Sequence, residues 1–407
     1  MKLIEENEKD FTDWAKLVTP PCDIICFAND WAADPLSKKQ IMLRLAGRHR
    51  ILWINSINNR RPRFASKDFR RTVQRLRDFK RGLMQVGDRI WVLSPVYVPY
   101  HGRPLVRSVN RRLVGWQIRK ALRQLNFTQP ITWSFVPTSA DFVGTFGERL
   151  IVYQCVDEYV AFTDAAPEIC ERERDLLVKS DFVVVCSSAL QESKQKSNPR
   201  TYLVTHGVDY AHFRRASDES TQVAEELRTI KRPILGFHGL LGDWVDLSLI
   251  AEVARQRPAW SVVLVGRTDT DLTPLEGLSN VHVIGHRPYS KLPEFLRGFD
   301  VALLPFVRNE LTRNANPLKL REYLAAGLPV VATPLPEVMR LERLISLATT
   351  PQEYIREVSR LLGEGAVGPS RQRSEQMAGE SWDFKVVEIE QLLTRGLEAA
   401  GHKVRSE

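Results

Sequence analysis

The chain has 407 residues, 43% of them hydrophobic and 26% charged, which suits two folded domains and excludes a disordered chain. No apolar run reaches bilayer length, the opening "MKLIEENEKDFTDW" lacks a secretory pattern, and five cysteines without a CxxC support neither a disulfide framework nor a zinc site, so the expected setting is cytoplasmic. The net charge of +9 is uneven: residues 1–130 hold 26 Lys+Arg against 11 Asp+Glu, a balance of +15 that leaves −6 for the rest, and it implies either an anionic partner or a solvated basic surface.

In chain order, "CDIICFAND" reads as a buried strand, "SKKQIMLRLAGRH" as a helix and "RILWINS" as the next strand. A basic stretch over 69–82 reads as helical, and "RIWVLSPV" as a strand. "LVRSVNRRLVGWQIRKALRQLN" has helical spacing with a cationic outer face. Then come "ITWSFV", "RLIVYQCVDEY", the helix "ICERERDLLVKS", "DFVVVCSS" and "TYLVTHGVD". The polar run over 207–232 reads as a link. Alternation restarts with "PILGFHG", "LSLIAEVARQR", "AWSVVLVG", "VHVIGH", "SKLPEFLRG", "DVALLPF" and "LPVVAT", and an amphipathic helix begins at "SWDF". Strands alternating with helices predict an α/β protein of two Rossmann-like doubly wound domains facing an interdomain cleft. The expected boundaries are 1–210 for an acceptor-binding domain, 211–380 for a nucleotide-sugar-binding domain, and 381–407 for a helix returning toward the first.

The segment "RNANPLKLREYLAAGLPVVATPLPE" concentrates the chemistry. A helix from Pro317 to about Ala326 would be N-capped by Asn316 and lie beyond the carboxyl end of a strand, a natural seat for phosphate. Lys319 stands in a first turn that favours acids, so an anionic ligand would compensate it. Glu322 follows on the same side, and a carboxylate can accept both hydroxyls of a ribose. The bland alternative is a solvated Lys–Glu pair. In "HGLLGDW", Gly239 and Gly242 leave a strand and would let backbone approach a phosphate, or simply turn the chain. Neither GxGxxG nor GxxxxGK[ST] occurs, so dehydrogenase and P-loop readings are unsupported.

In the first domain, Asn29, Asp30 and Trp31 follow the first strand and should line the acceptor side. Asp157 and Glu158 end another strand, where one of them would orient an acceptor or take its proton, or cap the next helix. His101 and His238 also stand near strand ends. Asp269 and Asp271 form an Asp-x-Asp in a polar loop, a weak metal signal; binding without metal is the better reading.

The residues "PLKLREYLAAGLPVVAT" resemble the signature of the family 4 (group 1) glycosyltransferases, enzymes of the GT-B fold. Glu322 matches the second glutamate of that family's Glu-x7-Glu motif. "HGVDYAHF", "AWSVVLVG" up to Gly266, "VHVIGHRPYSKLPEFLRGFDVALLP" with His286 and Arg287, and "SWDF" resemble further family segments in the right order. The likeness covers 150–390 best, and is nearest to the branch of bacterial envelope polysaccharide clusters. It implies transfer with retention of configuration from a nucleotide-sugar to a glycan or lipid-linked acceptor, with no metal or other cofactor and no nucleic-acid partner. Residue reading and resemblance together give expected reacting roles for Lys319, Asp157 and Asn314, and expected donor binding by Glu322, Asn316, Leu318, Gly239, Gly242, Gly266, His286 and Arg287. The acceptor side would hold Asn29, Asp30, Trp31 and His101, and the basic first domain could rest peripherally on the anionic inner face of the membrane. Two departures stand out: Asn314 replaces the motif's first glutamate, and "GLLGDWVD" lacks the usual cations. They leave room for a non-catalytic scaffold, or an epimerase of the same fold.

Overall fold

The computed structural model describes residues 20–56, 82–98, 104–162 and 168–404, so most of the basic stretch 69–82 lies outside the described residues. The chain divides into two units. One takes Met1–Val185, Leu190–Val204 and Val386–Glu407, and the other takes Cys186–Ala189 and Thr205–Lys385.

The first unit runs β1 (Asp23–Phe27), α1 (Ser37–Leu45), β2 (Arg50–Ile54), β3 (Leu83–Gly87), β4 (Ile90–Leu93), α2 (Pro104–Leu125), β5 (Ile131–Ser134), β6 (Leu150–Cys155), α3 (Glu168–Lys179), β7 (Phe182–Val185), α4 (Ser188–Lys194) and β8 (Thr201–Leu203). Strand order is β3-β4-β2-β1-β5-β6-β7-β8. Runs such as "RILWI" and "FVVV" are apolar without alternation because helices cover both faces of a parallel sheet. Only β3 runs antiparallel, to β4. It is a largely exposed edge, "LMQVG", with no apolar run to announce it in the sequence.

The second unit holds α5 (Tyr210–Phe213), β9 (Ile234–His238), α6 (Leu247–Gln256), β10 (Ser261–Val265), β11 (Val281–Gly285), α7 (Leu292–Gly298), β12 (Val301–Leu304), α8 (Glu310–Asn314), α9 (Leu318–Ala325), β13 (Val330–Ala332), α10 (Pro336–Met339), β14 (Ser346–Leu347), α11 (Pro351–Gly363) and α12 (Arg371–Glu375). Its parallel sheet has the order β11-β10-β9-β12-β13-β14. The polar run over 207–232 is not a linker. Val208, Phe213, Ala216, Ala224 and Leu227 are buried in this unit's core, so sparse apolar residues, not a periodic pattern, anchor it.

The last helix, α13 (Trp382–Val404), starts in the second unit and continues in the first. In the first unit His49 accepts from the Cys22 N–H at Nδ1 and meets Glu390 of α13 at Nε2, 2.9 Å away. Gly396 lies so close to Phe182 and Leu150 that a side chain there would collide. Each sheet reverses strand direction of travel at its centre, between β1 and β5 and between β9 and β12. Ligands of open α/β sheets bind beyond the carboxyl ends at such points.

Candidate active site

At the switch point of the second sheet, β9 ends in His238, whose backbone N–H donates to the Tyr323 hydroxyl at 2.9 Å. Its imidazole is clamped between the rings of Phe213 (6.2 Å, 25°) and Tyr323 (5.0 Å, 86°). Glu322, one residue before that tyrosine on α9, brings Oε2 to 3.2 Å from His238 Nε2. The contact is not an ordinary salt bridge. The two atoms are misaligned for a hydrogen bond, and both are buried without any hydrogen-bond partner. Burial pushes the histidine pKa well below its usual 6.5, and Lys319 pushes it further down. Burial raises the Glu322 carboxyl, with Lys319 pulling it back and Asp209 adding to the rise. Both groups are therefore driven toward neutrality, with 3% and 7% of their surface exposed.

Lys319 does not pair with Glu322 across the helix turn. Its stem crosses Gly239, where φ is +131° and a Cβ would overlap the lysine Cε. The positive φ is what calls for glycine at 239, since the lysine's flexible stem could shift aside. A Cβ on Gly266 would in turn fall on the Gly239 carbonyl, which makes this pair of strand ends a close backbone approach. The helix N-cap position is occupied by Pro317, not Asn316, and no side chain caps α9. Its first amides remain available to an anion, with no acid in the first turn.

Asn316 is used elsewhere. Its side chain accepts from Arg321 Nη1 at 2.5 Å and donates to the Cys186 carbonyl at 2.7 Å, while its own carbonyl faces His206 Nδ1 at 3.0 Å. Asn314 turns its amide onto the Glu310 carbonyl of α8 at 2.8 Å, and its carbonyl accepts from Ser187. These two asparagines fasten 186–189 to the second unit. A Cβ on Gly242 would meet the Trp244 ring. Leu318 is half-buried at the helix start and His286 is exposed beyond β11. Arg287 pairs with Glu226 at 2.8 Å. Asp271 accepts from the Thr273 amide and hydroxyl, a turn role, and no cluster of three metal-ligating side chains occurs among the described residues.

At the switch point of the first sheet, the Asn29 carbonyl accepts from the Trp53 indole and Asp30 accepts from the Ser56 amide. Trp31 packs edge-on to Trp53 (5.1 Å, 78°), with Lys39 Nζ 4.5 Å from the Trp31 ring centre. Lys38 reaches both Asn29 Oδ1 (3.4 Å) and the Tyr159 hydroxyl (3.2 Å), and Tyr159 donates to the Phe135 carbonyl. Asp157 is half-buried just past β6. Glu158 is withdrawn into a buried pair with Lys194, at 2.8 Å. His101 lies outside the described residues.

Residues 232–364 match the family described as Glycosyl transferases group 1. Over this segment the chain is similar to group 1 glycosyltransferases. The matched segment contains His238, Gly239, Lys319 and Glu322. The chain is similar to TuaH of Bacillus subtilis (strain 168), named as a teichuronic acid biosynthesis glycosyltransferase, with 27% identity over 213 residues, 47% of this chain and 52% of the relative. It thus spans about half the length of that curated relative. The fold is GT-B, like sucrose-phosphate synthase from Thermosynechococcus elongatus (TM-score 0.67, 15% identity, 93% of this chain and 100% of that one). HepE of Anabaena, solved with UDP and glucose, is also similar (TM-score 0.62, 16% identity, 93% and 100%).

In the second unit, the sequence undervalued His238 and gave no sign of Tyr323, which holds its backbone. Nothing local marks a tyrosine hydroxyl for that task. In the first unit it missed Lys38. There the signal existed: Lys38 sits in the first turn of α1, where no acid offsets the helix end, just as Lys319 does in α9.

Proposed function

We propose that the protein transfers a glycosyl unit, with retention of configuration, from a nucleotide-sugar bound by the second unit to a glycan or lipid-linked acceptor held by the first, in polysaccharide biosynthesis. The observation that carries this reading is the buried, unpartnered pair of His238 Nε2 and Glu322 Oε2 beside Lys319. A pair of polar atoms left unbonded in a dry site costs stability, and a ligand that bonds them recovers it. A ribose diol suits the carboxylate. A diphosphate suits Lys319 and the uncapped start of α9. As the diphosphate departs, its growing charge meets the ammonium and the helix amides already in place, which lowers the barrier electrostatically.

The similarity to HepE, solved with UDP and glucose, makes UDP-sugars the first donors to try. Trp31, Lys38 and Tyr159 offer ring and hydrogen-bonding surface to an acceptor, with Asp157 nearby in sequence to receive its proton. Asn314 in place of a glutamate supports a second reading, a nucleotide-binding scaffold without turnover. The test pairs a thermal-shift screen of nucleoside diphosphates and their sugars with assays of diphosphate release in EDTA. The proposal expects a raised Tm with one nucleotide and turnover that survives the chelator. Binding without release of any diphosphate favours the scaffold. Turnover lost in EDTA and restored by manganese contradicts the metal-free reading.

A further inference from the structure

The helix α2 contains no acid in its 22 residues. Its inner face buries Asn110, Val114, Gln117, Ile118, Ala121 and Leu122 in the first unit. The opposite face is exposed and mixed. Leu105 is 83% exposed, Val109 51% and Trp116 52%. Arg112, Lys120 and Arg123 are exposed too. The spacing of 105, 109, 112, 116, 120 and 123 follows the helix repeat, so all six share one stripe, with Lys120 Nζ 5.7 Å from the Trp116 ring. From Leu105 to Lys120 the stripe runs roughly 22 Å at the usual helical rise.

We infer that this stripe is a docking surface for an anionic lipid bilayer, with α2 lying in the plane of the interface. It rests on the expectation that the basic first domain meets an anionic membrane, and it names the surface responsible. Three observations carry it. Large apolar side chains this exposed are costly in water unless something covers them. The cations between them are unopposed by any acid on the helix, so the complementary partner is negative. Tryptophan and long cationic stems suit a boundary where one side is apolar and the other wet, since the charges can snorkel to headgroups while the rings and aliphatic groups sink. A nucleic acid would meet the cations but leave Leu105 and Val109 unused. Among the described residues no helix is long and apolar enough to cross a membrane, so this contact would lie on the surface, not span it.

The test is flotation of the full chain with vesicles of phosphatidylglycerol mixed into phosphatidylcholine, against phosphatidylcholine alone. Wild type should bind the anionic vesicles preferentially and release them as salt rises. The triple variant Leu105→Ser, Val109→Ser, Trp116→Ser should lose binding by about tenfold or more, and so should Arg112→Gln, Lys120→Gln, Arg123→Gln. A nucleotide thermal shift like that of wild type would show each variant folded and its donor site intact. If both variants float as wild type does, the stripe is not the docking surface, although the membrane reading survives. If wild type binds neither vesicle, both fail. Salt-sensitive DNA binding abolished only by the glutamine variant, or a wild-type dimer that the serine variant converts to monomer, would also overturn the inference.

Discussion

Two clusters of buried charge sit in the two units, and they differ in one respect. In the first unit Lys194 lies 2.8 Å from Glu158 and 2.9 Å from Glu173, and the Tyr153 hydroxyl donates to Glu173 at 2.8 Å. Burial works against the ammonium, yet Cys155, Glu173 and Glu158 hold its pKa above the ordinary lysine value. Its charge is answered from within the fold. In the second unit His238 and Glu322 are as deeply buried, but their facing atoms are unbonded and both are pushed toward neutrality. The first arrangement is finished by the protein itself. The second is left open where backbone glycines, an ammonium and an uncapped helix also converge. Buried charge alone therefore does not mark a site; what sets the second cluster apart is that its unbonded atoms coincide with strand-end glycines, an ammonium and an uncapped helix.

The largest effect expected from this contrast is on stability. Lys194→Ala strands two buried carboxylates and should cost about 3–5 kcal/mol, read by chemical denaturation. Lys319→Ala should leave the denaturation midpoint nearly unchanged, because the lysine completes no internal pair. It should instead slow turnover a hundredfold or more, about 3 kcal/mol in the barrier, while donor affinity falls less. If Lys319→Ala unfolds the protein as Lys194→Ala does, the contrast collapses.

Most of the fold was legible in the sequence because buried parallel strands are continuous apolar runs between helices of clear period. "CDIICF", "FVVV" and "SVVLV" could hardly be anything else. The exposed edge β3 and the packed stretch over 207–232 were not, since their anchoring depends on tertiary burial of a few isolated residues. In the site, Lys319 was readable as a cation in the wrong turn of a helix, and Gly239 as a strand-end glycine. The roles of Asn314 and Asn316 were not, because they bond to 186–189, more than 120 residues away in sequence. Glu158 looked as available as Asp157 until Lys194 appeared beside it.

A smaller effect concerns pH. Glu322 has a raised pKa when folded, so the native state holds its proton longer than the unfolded chain does. Its contribution to stability therefore declines as pH rises above the ordinary carboxyl value of 4.5 toward the folded one. Glu322→Gln removes that decline, so its Tm without ligand should equal or exceed that of wild type at pH 7 and fall less between pH 5 and pH 7. A steeper fall in the variant would mean the carboxylate is stabilised, not stranded.

The central claim is that the open pair is completed by a nucleotide. Calorimetric titration of the nucleoside diphosphate that raises wild-type Tm most, into wild type and Glu322→Gln, tests it most directly. The account predicts binding weaker by about 1.5–3 kcal/mol in the variant, roughly tenfold to a hundredfold, with no loss of stability in the ligand-free protein. Equal affinity in the two proteins would contradict it.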